Sequence, residues 1–272
     1  MPFTVSHPAI VLPFKQLCPR WFSLSGLIAG AMSPDLLYFL MLQTQYRGFS
    51  HSWLGLLLFC LPAGMLFAYC FHRFFKYQAI YNLPRPFDIR LSGLAEQSFQ
   101  IGSFGGWMKL ALSVLLGTLT HFFWDSFTHP WGEMAQMFEV FSEVFTLWGI
   151  QRPLCRWLQH VSTIAGAVVM LRYVLKGCLL PPPAAMRPTR SSGSKLLFWL
   201  VGGVVATLFA CLVVYCFDIV YDLQLRQGHN TISAMSSFGL AGWAGFFYYV
   251  CIYGILSKRR AGGMGETMSD ES

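Results

Sequence analysis

Five largely apolar runs, 53–71, 106–127, 161–180, 196–217 and 238–257, approach the roughly 20 residues that a helix needs to cross a hydrocarbon layer of about 30 Å. No other feature limits the fold as strongly. In lipid every backbone N–H and C=O has to be paired within the chain, so runs of this length and composition can only be helices. A sixth run, 21–42, is apolar but interrupted by Pro34-Asp35. It reads as a kinked span or as two re-entrant half helices, and we expect a span. With 55% hydrophobic and only 11% charged residues in a chain of 272, the expectation is an all-α, polytopic membrane protein with five or six transmembrane helices.

The net charge of +7, from 19 Lys and Arg against 12 Asp and Glu, belongs to the loops of such a protein, and nucleic acid is not an expected partner. Arg73, Lys76, Arg85, Arg90, Arg187, Arg190, Lys195, Lys258, Arg259 and Arg260 fall on one side of the alternating spans. Arg47, Arg152, Arg156 and Arg226 fall on the other, beside Glu133, Glu139, Glu143 and Asp222. The richer side, with the C-terminus, is expected in the cytoplasm. Membrane lipids are the expected surroundings, and the oligomeric state is not legible. The N-terminus has no basic n-region or A-x-A-like site and reads as part of the fold. The eight cysteines form no C-x-x-C pair and read as small core residues.

Between the spans lie a basic loop at 72–105, an aromatic and acidic loop at 129–160, a cytoplasmic linker at 181–195 and a short loop at 218–237. From 261 a polar tail is expected to be disordered. In 134–148 the residues Met134, Met137, Phe138, Phe141, Val144, Phe145 and Trp148 recur at spacings of three and four, which predicts an amphipathic helix lying in the outer interface.

Chemistry concentrates at a few polar positions within the apolar runs. His121 and Asp125 are four apart in the third span, so they share a helical face, with Thr128 and His129 a turn beyond. They suit a metal site, or a plain hydrogen-bonded pair inside the bundle. Asp35 is the second intramembrane acid, and it could also cap a helix break. His51, in Ser50-His51-Ser52, precedes the second span. Asp35, His51, His121 and Asp125 all fall at one depth on the outer side. His7 starts on the other face if 21–42 spans fully, unless the segment 7–19 re-enters the membrane. His129 is open between ligand, proton shuttle and interfacial residue. His160 is either a neighbour of the site or interfacial, and His72 and His229 read as solvated loop residues.

The segments MPFTVSHPAIVLP, GAMSPDLLYF, SHSWLGLLL, GTLTHFFWDSFTHPWG and RPLCRWLQHVSTIAG resemble, in that order, the bacterial integral-membrane family DUF4184, over about residues 1–180. His near the start, then Pro-Asp, His-Ser and His-x-x-x-Asp is also similar, more distantly, to the YdjM-type membrane-bound metal-dependent hydrolases, which are akin to zinc-dependent phospholipase C. The resemblance implies that His7, Asp35, His51, His121 and Asp125 are metal ligands, and that the protein lies in a bacterial inner membrane. His160 departs from the pattern, where a small or aromatic residue is expected.

Imidazole and carboxylate ligands suit Zn²⁺ best, then Mn²⁺ or Fe²⁺. The expected function is a metal-dependent hydrolase, phosphoesterase-like, at the outer face of the membrane. Asp125 or Asp35 would serve as catalytic base, and the substrate would be an amphiphilic, phosphate-containing or lipid-like molecule. The alternative is a non-enzymatic membrane protein that uses the same cluster, either a proton- or ion-coupled transporter or a scaffold. Transport predicts an internal repeat, and none is visible between the first three and last three spans. The expected division is a membrane domain at 1–180 carrying the site, the linker, an accessory hairpin at 196–260, and the tail.

Overall fold

A computed structural model describes residues 4–41, 48–99, 101–177, 190–224 and 231–267 of the chain. Six helical segments are long and apolar enough to cross a membrane: Leu24–Met41, Trp53–Tyr81, Phe104–Met137, Leu154–Lys176, Ser192–Cys216 and Phe238–Ser257. The protein is all-α and multi-pass, as the apolar runs predict. In order, a 3-10 segment Thr4–Val11 leads into α1 (Leu12–Leu17), followed by α2 (Leu24–Met41) and α3 (Trp53–Tyr81). Short α4 (Phe87–Arg90) and α5 (Ser92–Glu96) precede α6 (Phe104–Thr128) and α7 (Glu133–Met137). A hairpin of β1 (Val144–Leu147) and β2 (Ile150–Pro153) runs into α8 (Leu154–Gly177), then α9 (Ser192–Gln224) and α10 (Thr231–Thr267).

The chain packs as two compact units. One comprises Met1–Leu37, Arg47–Ala68 and Gln100–Lys176, the other Tyr38–Tyr46, Tyr69–Phe99 and Gly177–Ser272. The stretch 69–99 therefore groups with the C-terminal helices.

The first unit is organised by the approach of α2 to α6. In lipid, helices associate through close backbone contact and polar pairing rather than through burial of oil, so small residues mark the seam. A Cβ on Gly30 would lie 2.1 Å from the Val114 carbonyl oxygen, and one on Gly117 would lie 2.2 Å from that of Leu27. Only glycine permits this crossing. Pro34 sits inside α2 without breaking it, because the carbonyl it leaves unpaired, that of Gly30, finds other partners. The Ser33 hydroxyl donates to it at 2.9 Å and the Thr118 hydroxyl lies 3.2 Å away. Within the 21–42 run, Leu24–Met41 is thus one continuous helix and not a pair of half helices.

The N-terminal segment resolves the depth conflict of His7. Eight residues of 3-10 helix and six of α-helix extend about 25 Å. The segment runs back along α2, so that Val11 packs on Leu27 and Ala31 while Thr4 reaches Asp35. His7 is carried into the bundle.

In the second unit α9 packs along α10 through Phe198 against Tyr249, Trp199 stacked on Phe246, and the buried Ala210 and Ala241. Asp88 and Lys195, both buried, form an ion pair. Beside them the Arg190 guanidinium donates to Gln78 Oε1, Asn82 Oδ1 and the Tyr253 hydroxyl.

Four sequence expectations are corrected. Segment 134–148 is not one amphipathic helix but α7, a 3-10 turn at Glu139–Phe141 and the hairpin. The β-branched and aromatic run VFTL, followed by Trp148-Gly149 with φ of 51° and 77°, favours a two-residue hairpin turn over helix. The loop expected from 72 is helical to Tyr81, and His72 is stacked on Phe99 at 4.2 Å rather than solvated. The loop expected at 218–237 is helical to Gln224 and again from Thr231, and the tail expected from 261 continues α10 to Thr267. His229 and most of the linker lie outside the described residues.

Candidate metal centre

The site grows from the register of α6. Ser113, Gly117, His121 and Asp125 are four apart and line the face turned to α2. The glycine contact brings the His121 ring against α2, where its Nδ1 lies 2.8 Å from the Ala31 carbonyl oxygen. A carbonyl can only accept, so Nδ1 carries a proton, and in the neutral ring Nε2 then carries the lone pair. That Nε2 lies 3.5 Å from Asp125 Oδ2 and 3.9 Å from Asp35 Oδ1.

Three further segments deliver their side chains to the same point. His7 stacks on His121 with ring centroids 4.0 Å apart, and its Nε2 is 3.7 Å from Asp125 Oδ1. The Ser6 hydroxyl fixes this segment by donating to the Thr163 carbonyl of α8 at 2.9 Å. His51 arrives from the turn before α3, where Ser52 caps the helix by accepting from the Gly55 N–H at 3.0 Å. Its Nε2 is 3.7 Å from Asp125 Oδ2, and its Nδ1 is 3.1 Å from the Ser50 hydroxyl. His129 follows the last residue of α6 because Pro130 disfavours helix at the residue before it. Its φ and ψ of −124° and 140° are extended, and the side chain folds back until Nδ1 is 3.4 Å from Asp125 Oδ1.

The Asp125 carboxylate thus stands among four imidazoles, with His7 and His129 at Oδ1 and His51 and His121 at Oδ2. Asp35 completes the group, with Oδ2 accepting from the Thr4 hydroxyl at 2.8 Å and Oδ1 left facing His121. Every one of these side chains is buried or nearly so. Burial, reinforced by the imidazole of His121, holds His7 well below the usual histidine range, so its ring is neutral at neutral pH. A neutral imidazole is the form that ligates a metal.

The sequence brought His7, Asp35, His51, His121 and Asp125 to attention, and the structure brings all five together. His129 joins them. His160 does not, being exposed on α8 with its ring near Trp157. Two residues were missed. Thr4 is the partner of Asp35, and Gln159 is buried on α8 with its Nε2 3.4 Å from His129 Nε2. Arg156 donates to Gln159 Oε1 at 2.8 Å, which turns the NH₂ group of that amide towards His129. A buried glutamine in an apolar helix is itself the signal, since such a group needs a partner.

Two sets of three ligand atoms lie within 4.8 Å of one another: His7, His121 and Asp125, and Asp35, His51 and His121. Both use His121, which has one free ring nitrogen, so they overlap as one seat. The observation that tests the fit is polar satisfaction. His7 Nε2, His121 Nε2 and Asp125 Oδ1 are buried with no hydrogen-bond partner. Buried polar atoms left without a partner are costly. The N···O separations of 3.4 to 3.9 Å are long for hydrogen bonds but near the ~3.3 Å edge between ligands each about 2.0 Å from one tetrahedral ion. The residues fit a divalent cation.

A family model described as a domain of unknown function, DUF4184, matches residues 1–255. The chain belongs to the DUF4184 family. The match runs through α9 and most of α10, so DUF4184 takes in the C-terminal helices as well as the motif-bearing part at 1–180. No curated protein and no solved structure matches this DUF4184 chain.

Proposed function

We propose that this DUF4184 chain is a metal-dependent hydrolase of the bacterial inner membrane, acting on a lipid-like or phosphate-ester substrate at the outer face. The observation that carries the reading is the set of polar atoms His7 Nε2, His121 Nε2 and Asp125 Oδ1, buried around one point without a hydrogen-bond partner. The uneven distribution of basic loop residues supports a cytoplasmic C-terminus and, with it, a position of the cluster in the outer half of the membrane.

His7, His51, His121 and Asp125 are the proposed ligands, and mixed imidazole and carboxylate donors favour Zn²⁺, with Mn²⁺ or Fe²⁺ next. When bound, such an ion supplies charge stabilisation for a phosphoryl or acyl oxygen and a water acidic enough to ionise near pH ~7. The remaining work falls to the chain. The Ala31 carbonyl holds the His121 tautomer, as carbonyls do for metal-ligating histidines. Asp35, held at Oδ2 by Thr4, presents Oδ1 as the base that takes a proton from an attacking water. His129, ordered by Gln159, orients Asp125.

The test is metal analysis by mass spectrometry of the protein purified in detergent, beside His121→Ala and Asp125→Ala. About one Zn²⁺ or Mn²⁺ per chain, lost in both variants, is expected, followed by phosphodiesterase and phosphatase activity on lipid substrates. Absence of metal from protein purified without chelator would overturn the reading and leave a proton-coupled or register-fixing role for Asp35 and Asp125.

A further inference from the structure

The β1–β2 hairpin has no counterpart in the chemistry above. Its antiparallel register pairs Phe145 with Arg152, Thr146 with Gln151 and Leu147 with Ile150. Cross-strand partners point to the same side, and neighbours along a strand point to opposite sides. One face therefore carries Phe145, Leu147 and Ile150 with Arg152 at its base, and the other carries Thr146 and Gln151 with Val144 and Pro153 at its base. The tip is Trp148-Gly149.

A two-stranded sheet in water needs its apolar face covered to be stable. This one is uncovered: Phe145, Leu147 and Ile150 are all exposed, and Trp148 is 91% exposed. The turn also carries a residue that the fold does not call for. Both turn positions have positive φ, 51° at Trp148 and 77° at Gly149, which favours Asn-Gly over Trp-Gly by about 1 kcal/mol. A tryptophan here makes the turn worse and the tip more apolar.

What covers the hairpin follows from what it is continuous with. Pro153 ends β2 and Leu154 begins α8, one of the membrane-spanning helices, with the Leu154 N–H donating to the Glu143 carbonyl at the foot of β1. The exposed apolar surface of α8, through Val161, Ile164, Val168 and Leu171, faces lipid. The hairpin stands at the head of that surface, tied to it by the Trp157 indole donating to the Phe145 carbonyl at 3.2 Å. Between Val144 and Ile150 there is no charge, while Arg152 and Arg156 sit at the base, and basic residues at the end of a span suit anionic headgroups.

We propose that the hairpin Val144–Pro153 is a lipid-embedded element. Its Trp148 tip and its Phe145-Leu147-Ile150 face enter the leaflet at which α6 ends and α8 begins, and Arg152 rests among the headgroups. The proposal goes beyond the hydrolase reading and stands whether or not the cluster binds metal.

A photoreactive benzoylphenylalanine placed singly at Trp148, Thr146, Ile164 or Ser98 tests it in nanodiscs of phosphatidylethanolamine and phosphatidylglycerol. After irradiation, adducts are read by mass spectrometry. Position 148 is expected to yield lipid adducts at the level of the lipid-facing Ile164 and several-fold above Thr146 and Ser98. Adducts from 148 mainly to peptides, of the same chain or a second copy, or lipid yields no higher than at Ser98, would overturn it. Each labelled protein is first required to melt as wild type does. If position 148 fails that check, Leu147 gives the same reading.

Discussion

His121 is locked to Ala31. Its ring donates through Nδ1 to that carbonyl at 2.8 Å, and the bond fixes both which nitrogen is free and where it points. A tautomer set by the backbone of a neighbouring helix cannot be altered by movement of a side chain. The α2–α6 seam and the site are therefore one piece of structure.

Replacing His121 by glutamine should remove the free nitrogen common to both ligand sets while keeping a polar group near Ala31. The expected outcome is loss of bound Zn²⁺ by more than tenfold in affinity with the fold retained, read by metal analysis together with thermal melting.

Gly117→Ala places a methyl 2.2 Å from the Leu27 carbonyl oxygen. Helix α2 has to move, and a cost of about 1–3 kcal/mol is expected for such overpacking. The melting temperature in detergent should fall, and metal should be lost with it because Ala31 is carried away from His121. Gly105→Ala, exposed at the start of α6, should leave both unchanged.

Acidification should destabilise the protein through His7. Its folded value lies below the ordinary histidine value, so the unfolded chain binds the extra proton first. Stability is full above about pH 6.5 and is lost as pH falls from there towards the lowered folded value. Melting curves between pH 8 and 5 check this. His7→Phe should flatten the profile.

In the second unit Asp88→Asn should strand Lys195 as a buried, unpaired cation, at a cost of about 3–5 kcal/mol. The double variant Asp88→Leu with Lys195→Met should recover most of that loss. Thermal unfolding of the single and double variants gives the comparison.

Gln159→Leu should release the His129 ring, and with it the orientation of Asp125, lowering metal affinity about 10- to 100-fold as loss of an outer-shell partner does. Restoration of binding by Gln159→Asn would argue against a strict positioning role.

The spans were legible because lipid imposes length and apolarity directly on the sequence, and five of the site residues were legible because acids and histidines are conspicuous in such runs. His7 was harder to place. Its depth depends on a 3-10 segment returning along α2, and the only local sign of that return is an apolar stretch too short to span. Gln159 and Thr4 escaped notice because each acts through one partner distant in sequence. The first strand of the hairpin and Trp148 fall within the helix expected at 134–148, since Phe141, Val144, Phe145 and Trp148 satisfy helical spacing as well. In a run that short, periodicity does not separate the two, and the β-branched residues with Trp148-Gly149 carried the better signal.

The return of Thr4–Leu17 along α2 also sets an order of assembly. Thr4 and His7 leave the ribosome before His121 and Asp125, which follow only after two spans have been made. Until α6 is inserted, the N-terminal segment has the Thr4–Asp35 bond but lacks the partner of His7. A nascent chain arrested before residue 121 would hold Asp35 and His7 within the membrane with nothing to join them, which makes the third span the step that closes the site during biogenesis.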